Sequence, residues 1–170
     1  MNKRVAQIAL AVTTLAVASL HLAWVPHDNG HLLIVGSQPV DVMGEVQARW
    51  NQVIRQCRDV QRVSPHAGTH ADALATIMRY SPPQSESARI VSLWASGEWL
   101  LAEVEFQALF PAVVLIRTST PRFTVVPQAV WSGVTKPWKA APHIRNYLMK
   151  QPTGAPAELF RCFEPQSDHF

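Results

Sequence analysis

A mixed apolar and acidic sheet face is the first place where this sequence could do chemistry. In ARIVSLWASGEWLLAEVEF (residues 88–106), a hairpin loop at Ser96-Gly97 would put Trp94 opposite Trp99 and fix which side chains share a face. The all-apolar face belongs to the core and carries Val91, Leu93, Leu100, Ala102, Val104 and Phe106. The other, the mixed face, carries Ile90, Trp94, Trp99, Leu101, Glu103 and Glu105. Aromatic rings beside carboxylates on a concave sheet suit a small apolar or cationic ligand.

The same residues have an ordinary packing interpretation. A C-terminal helix that covers the two tryptophans would make them core residues, while Glu103 and Glu105 reach solvent or pair with Arg117 on the next strand. Two carboxylates on one strand could also serve as an acid and a base, but no other catalytic group accompanies them. The sequence therefore predicts no catalytic residue, and its ligand-binding candidates are Trp94, Trp99, Leu101, Glu103, Glu105 and Arg117.

The histidines match no standard catalytic motif. His66 and His70 have the spacing of two metal ligands on a helix, but Gly68 lies between them and no Glu adjoins either one, so we interpret them as loop residues. The sequence also lacks G-x-S-x-G, a glycine-rich phosphate loop and C-x-x-C. We therefore expect no cofactor and no metal, and we favour a non-catalytic protein over an enzyme of unrecognised type.

Cys57 and Cys162 are the only two cysteines. In an oxidising compartment they could form one disulfide that closes a loop of about a hundred residues and stabilises the fold by about 4 kcal/mol. The alternative is a pair of unbonded buried thiols, because a single pair offers no spacing pattern to test. A reactive cysteine is not favoured, since Cys57 falls on the apolar stripe of a predicted helix.

The first 25 residues have the composition of an export segment. Lys3 and Arg4 precede a run, residues 5–25, that contains no Asp, Glu, Lys or Arg. A signal peptidase could cleave after Ala18, or the run could stay as a membrane anchor with Trp24 at the far interface. Either way the two cations stay in the cytoplasm. We therefore expect a periplasmic domain, or one held at the inner membrane and facing the periplasm.

The charge balance argues against nucleic-acid binding. The chain has 15 basic and 12 acidic residues and a formal charge of +3. Two of the basic residues, Lys3 and Arg4, lie in the export segment, which leaves 13 basic against 12 acidic residues in the rest. A nearly neutral body offers no surface that could follow a phosphate backbone.

An amphipathic helix is predicted to begin at Asp41. Its apolar residues recur every three or four positions and form one stripe, Val42, Val46, Trp50, Val53, Cys57 and Val60. Such a stripe normally faces the core, so the arginines on the other side should be solvated, namely Arg55, Arg58 and Arg62. A shorter second helix is predicted at residues 71–80, before Ser81-Pro82-Pro83.

Strand patterns dominate the second half of the chain. Four runs are rich in β-branched and aromatic residues, ARIVSLW, EWLLAEVEF, PAVVLIRTS and RFTVV, and an earlier run, HLLIVG, predicts a first strand. The regular part of a last helix is predicted at residues 143–150. We interpret Trp131 and Trp138 as anchors that fasten this helix to the sheet.

Together these patterns predict an α+β domain. An antiparallel meander of four or five strands, with curvature like that of a cone, packs against an N-terminal helix pair, and a C-terminal helix follows. The domain is expected at residues 41–165, after a linker or first strand at 26–40 and before a loose tail at 166–170. The expected function is that of an exported binding or accessory domain, as a subunit or inhibitor in an envelope assembly with a protein partner. The alternative is a small-molecule-binding domain that uses the mixed face.

Overall fold

A computed structural model describes residues 22–27, 29–119 and 122–170. The first antiparallel sheet contains β1 (Leu22–His27), β2 (Gly30–Val35) and β3 (Gln38–Val40). The second contains, in spatial order, β4 (Gln61–Arg62), β5 (Arg89–Ser96), β6 (Trp99–Glu105), β7 (Ala112–Ser119) and β8 (Arg122–Ser132). The helices within the described residues are α1 (Val42–Ile54), α2 (Gly68–Met78), α3 (Ala140–Met149) and α4 (Ala157–Cys162). The predicted α+β class and antiparallel meander are confirmed.

Both faces of the five-stranded sheet are buried. The apolar runs of β6 and β7 supply residues to each face, as expected for strands covered on both sides. On one face α2 contributes Ala73 and Ile77, which pack against Leu93, Leu100 and Val104. The other face is covered by α3, α4 and the chain that follows them. Of the predicted N-terminal helix pair, α2 packs on the sheet, whereas α1 packs against α3.

The hairpin between β5 and β6 has its loop one residue later than the sequence predicted. Ser96 pairs with Trp99, so Gly97 and Glu98 form the loop and Trp94 pairs with Leu101 rather than Trp99. Gly97 occupies the first loop position with φ of 56°, where a type II′ turn requires a positive φ. From Ser92 to Ser96, each β5 residue pairs with a β6 residue two positions further along than predicted, so the same side chains still share a face. Ile90 changes face because a bulge follows it, and Val91, the bulged residue, pairs with no residue of β6.

β8 is an irregular edge strand. Val114 pairs with Val130 and Ile116 with Val125, so several residues of β8 bulge out opposite a single residue of β7. Pro127 lies in this bulge and has no N–H to donate. The hydroxyl of Tyr147, on α3, lies within hydrogen-bond distance of two β8 carbonyl oxygens, 3.3 Å from that of Gln128 and 3.2 Å from that of Val130.

The three-stranded sheet was only partly predicted. HLLIVG lies in β2, as expected, but β1 pairs with it, with His27 opposite Gly30, across a turn at Asn29 that the sequence analysis overlooked. Residues 22–25 of the predicted export segment are therefore part of a strand, and the rest of that segment lies outside the described residues. Among the described residues, no helix is both long and apolar enough to cross a bilayer.

Candidate functional site

The mixed face is filled by the chain's own C-terminal part. Trp99 and Leu101 are buried in a cluster with the apolar side of α3, the helix α4 and two later phenylalanines, namely Ile144, Leu148, Leu159, Phe160, Phe163 and Phe170. Trp94 packs at the margin of this cluster and is half-buried. The packing interpretation of the two tryptophans therefore describes the contacts that the structure shows.

Glu103 is a fully buried carboxylate that binds the C-terminal tail. None of its surface is exposed. One carboxylate oxygen accepts hydrogen bonds from the backbone N–H groups of Gln166 and Ser167, at 2.8 and 2.7 Å. The other oxygen accepts from the Ser92 hydroxyl at 2.7 Å. Hydrogen bonds of this kind compensate for burying a charge, so Glu103 serves as a fixed attachment point for the tail.

The tail, which was expected to be loose, is attached at several further points. The Ser167 hydroxyl donates to Glu105 at 2.5 Å, and Glu105 also pairs with Arg89. Phe170 is buried, and its ring lies edge-on to Trp131 with the ring centroids 5.4 Å apart. Buried aromatic contacts and charge-assisted hydrogen bonds together order the tail.

Arg117 lies apart from the two glutamates of the mixed face. On β7 it pairs with Trp99, its guanidinium is 5.3 Å from the centre of that ring, and it forms an exposed ion pair with Glu98 at 3.0 Å. Glu103, by contrast, pairs across the strands with Val113. The structure therefore brings Trp99, Leu101 and Glu103 together in the core and leaves Arg117 at the rim.

Cys57 and Cys162 lie at disulfide distance, with their sulfur atoms 1.97 Å apart. Cys57 is not on a helix, since α1 ends at Ile54, and Cys162 is the last residue of α4. The pair therefore joins the segment after α1 to the part of the chain that covers the sheet.

The apolar stripe of α1 faces solvent. Its outward side chains occupy positions three and four residues apart, and we name this surface the α1 stripe: Met43, Val46, Trp50, Val53 and Ile54. Trp50 is 64% exposed and Val53 is 78% exposed. The expectation that this face of the helix would be core is wrong. A row of exposed apolar side chains typically marks an interaction surface.

The packed side of α1 consists of small and polar residues. Gly44, Ala48 and Asn51 recur at spacings of four and three and are buried or half-buried. The Asn51 amide donates to the Arg161 carbonyl at 2.8 Å, and Arg55, just after the helix, pairs with Glu164 at 2.6 Å. The predicted assignment of the two sides is therefore reversed, because α1 is held by hydrogen bonds rather than by its apolar residues.

Of the three arginines that were expected to be solvated, Arg58 and Arg62 are exposed and Arg55 is half-buried. Arg55 pairs with Glu164, and the Arg62 guanidinium donates to the Gln166 side chain at 2.7 Å and lies 6.0 Å from the centre of the Trp94 ring. Arg145, on α3, is buried and donates to the Phe163 carbonyl at 2.9 and 2.6 Å. Arg55, Arg62 and Arg145 therefore contact residues 163–166 and help to hold the C-terminal part of the chain.

A small cluster of charged side chains lies beside the α1 stripe. Glu45 is paired with Arg49 at 3.1 Å and with Lys139 at 2.8 Å. The hydrogen bond from Lys139 is the main cause that lowers the pKa of Glu45, and the hydrogen bond from Arg49 lowers it further. Asp41 accepts a hydrogen bond from the backbone N–H of Lys139 at 2.9 Å, so two carboxylates balance the two cations of this cluster.

A second exposed apolar surface lies on the three-stranded sheet. Strand pairing places its members on one face, which we name the outer sheet face: Leu22, Trp24, Leu33, Val35 and Val40. Trp24 is 51% exposed and stacks on His31, with ring centroids 6.0 Å apart. The opposite face carries the buried Leu32. Alternation along the strands thus gives this small sheet one packed and one open apolar face.

A polar cleft of about 250 Å³ separates the β1–β2 turn from α1 and α3. It is lined by His31, Gln47, Trp138, His143 and Asn146, among others. Burial lowers the pKa of His143, and the nearby Asp41 carboxylate opposes that effect. Among the described residues no three His, Cys, Asp or Glu side chains are grouped so that they could hold a metal ion.

Within the described part of the chain, nine of the fourteen exposed large apolar side chains lie in residues 22–54, on the α1 stripe and the outer sheet face. Comparisons with protein-family models, with curated proteins and with solved structures found no match to this chain. Function is therefore inferred from the contacts, burial and charges described above.

One sequence signal could have revealed the α1 stripe. Gly44, Ala48 and Asn51 form a row of small and polar residues beside the apolar row, and such a row allows a helix to approach a neighbour closely. A helix with two such rows has two candidate packing sides. Hydrophobicity alone selects the apolar one.

Proposed function

We propose that this protein is an exported, non-catalytic accessory domain that docks another protein of the cell envelope through the α1 stripe. The observation that carries the proposal is the orientation of α1, whose apolar residues face solvent while Gly44, Asn51 and Arg55 make its contacts with the rest of the chain. Trp50 and Val53 are mostly exposed, so burial within the chain gives no reason for apolar residues at these positions. An interaction surface gives a reason for them.

The spacing of the stripe indicates what kind of surface it binds. Four residues of the stripe follow one another at intervals of three, four and three positions: Met43, Val46, Trp50 and Val53. This is the a/d spacing of a helix that packs along another helix. We therefore propose a partner helix with its own apolar seam. Because Asp41 and Glu45 balance Arg49 and Lys139, we expect a partner seam flanked by residues of both signs or by uncharged residues.

Export is supported by two independent features. Lys3 and Arg4 precede a long apolar run, which is the pattern of an export segment. Cys57 and Cys162 lie at disulfide distance, and disulfides persist mainly in oxidising compartments. The small-molecule alternative has less support, because the chain's own α3, α4 and tail occupy the mixed face.

Site-specific photo-crosslinking tests the proposal in intact cells. A benzophenone amino acid replaces Trp50 or Val53, and Gln52, which is exposed on the same helix but away from the stripe, serves as the matched control. We expect a product of one discrete mass from positions 50 and 53 and none from position 52. Mass spectrometry of the crosslinked peptide should identify a helix of a second envelope protein with an apolar seam.

Three results would count against this function. Equal products from all three positions would show that the stripe does not select a partner. A product of twice the chain's mass would identify a second copy as the occupant. Export is tested separately with a reporter that is active only after export. The reporter is inserted at the exposed Gly36 turn, so that Phe170 stays buried, and we expect it to be active. An inactive reporter would refute export.

A further inference from the structure

We infer that the outer sheet face rests on the lipid bilayer, next to the chain's own N-terminal apolar segment retained as an anchor. This inference depends on the export proposed above. It does not depend on the protein partner proposed for the α1 stripe, because it concerns a different surface and a different observation.

Chain connectivity is the first argument. β1 begins at Leu22, so residues 5–21 of the apolar run are left to cross a membrane. As a transmembrane helix, seventeen residues would span about 26 Å, slightly less than the roughly 30 Å hydrocarbon core. A retained segment of this length would end at the membrane interface. β1 follows it directly in the sequence and would then begin at the interface as well.

The composition of the face is the second argument. Trp24, Leu33 and Val40 lie side by side across the three strands, and Leu22 pairs with Val35 in the next row. The face contains no Asp, Glu, Lys or Arg among these five positions. Tryptophan is enriched where protein meets the headgroup region, and Trp24 stacks on the polar ring of His31. An apolar face with a tryptophan and a histidine suits this boundary.

The attachment of the small sheet to the body is the third argument. Leu32 is buried on the inner face, and the β1–β2 turn approaches Trp138, whose ring would lie 3.8 Å from a β-carbon placed on Gly30. The His27 ring lies edge-on to the same tryptophan, at 6.3 Å between centroids. The sheet is therefore fixed to the domain through its inner face and turn, which leaves the outer face free to contact a membrane.

Depth-dependent fluorescence quenching tests this assignment. The full chain, with its N-terminal segment, is reconstituted in phosphatidylethanolamine and phosphatidylglycerol vesicles that contain lipids brominated close to the headgroup. We expect the parent protein to be quenched, Trp24→Phe to lose most of that quenching, and Trp50→Phe to keep it. Both tryptophans are exposed, so each variant should unfold at the parent's urea midpoint, and this is the check that the fold is intact.

The outcomes distinguish the two proposals. If the parent is not quenched, or if Trp24→Phe is quenched as strongly as the parent, the outer sheet face does not touch lipid and the inference is wrong. If Trp50→Phe instead removes the quenching, the α1 stripe is the membrane contact, and both this inference and the protein-docking function are overturned. Purified protein that begins at Ser19 would show that the segment is cleaved and would also overturn it.

Discussion

The five-stranded sheet and α1 bury opposite kinds of residue. In the sheet, β6 and β7 place apolar side chains on two covered faces, and the carboxylate of Glu103 enters the core only with three hydrogen-bond donors. In residues 22–54, α1 turns Gly44 and Asn51 inward and exposes Trp50 and Val53. The chain's own fold buries the apolar side chains of the sheet. The exposed apolar side chains of α1 have no partner among the described residues.

The contrast shows how to separate residues that stabilise the fold from residues available to a partner. An apolar side chain that contributes to stability has lost its solvent exposure within the chain itself. One that stays exposed contributes little to folding, and in a row it indicates an external surface. Substitutions chosen in matched pairs from the two regions should therefore differ strongly in their effect on unfolding.

The Cys57–Cys162 link should give the largest effect, because it closes a long loop between the segment after α1 and α4. Its sequence separation of 105 residues predicts a loss of about 4 to 5 kcal/mol of unfolding free energy when both cysteines are changed to serine. Urea unfolding of the oxidised parent and of the double serine variant measures the difference. Two thiols that react with an alkylating reagent, in periplasmic protein not previously reduced, would show that the bond does not form.

Two tryptophans provide the most direct comparison between the regions. Trp99→Ala removes a ring buried under α3 and α4 and should cost about 3 to 5 kcal/mol. Trp50→Ala removes an exposed ring and should change the unfolding free energy by no more than about 0.5 kcal/mol. Denaturant titration of both variants measures these costs. A large loss from Trp50→Ala would mean that the α1 stripe is part of the core after all.

Glu103 tests how much a buried carboxylate contributes to the stability of the sheet. Glu103→Ala leaves two backbone N–H groups and the Ser92 hydroxyl without their acceptor and should cost about 2 to 3 kcal/mol. Glu103→Gln keeps one acceptor oxygen, so we expect about 1 kcal/mol. Hydrogen exchange at Gln166 and Ser167 should accelerate in the alanine variant. Unchanged exchange there would show that other contacts hold the tail.

Glu98 is the matched control for Glu103. It is also a β-hairpin carboxylate with a charged partner, Arg117, but both side chains are about half exposed. Glu98→Gln should therefore change stability by less than about 0.5 kcal/mol. Similar losses from Glu98→Gln and Glu103→Ala would contradict the idea that burial gives Glu103 its importance.

The smallest expected effect is a pH dependence from His143, which lies where α3 faces the N-terminal region. Burial lowers the pKa of His143 below its ordinary value of 6.5, so the unfolded chain binds this proton more readily than the folded one. The contribution of His143 to the free energy of unfolding should be fully present above pH 6.5 and should decline as the pH falls below 6.5. Urea midpoints at two pH values, one on each side of 6.5, should differ less in His143→Gln. An identical difference in parent and variant would exclude His143.

Strand pattern and face alternation were predictable from the sequence because they depend on neighbours along the chain. Period-two alternation predicts the meander and the face that carries Trp99 and Glu103. The presence of two cysteines permits one disulfide. The loop position was missed because Gly97 could occupy either loop position, and only the turn type decides which.

The orientation of α1 and the place of the tail could not be predicted in the same way. An apolar stripe indicates that a helix has a side to bury, but not whether this chain supplies the covering surface. The tail is ordered by contacts with Glu103, Arg62 and Trp131, which are distant in sequence. The sequence of residues 163–170 alone does not indicate those partners.

The irregular course of β8 also bears on how the molecule behaves when it is crowded. A regular outer strand is a template on which a second chain can add, and such addition is a route to fibrils. Here Pro127 removes one donor, the bulge breaks the repeat of the remaining groups, and the Tyr147 hydroxyl engages carbonyls that an incoming strand would need. The domain can thus expose apolar surface in residues 22–54 for binding while its longest strand resists the edge-to-edge assembly that leads to amyloid.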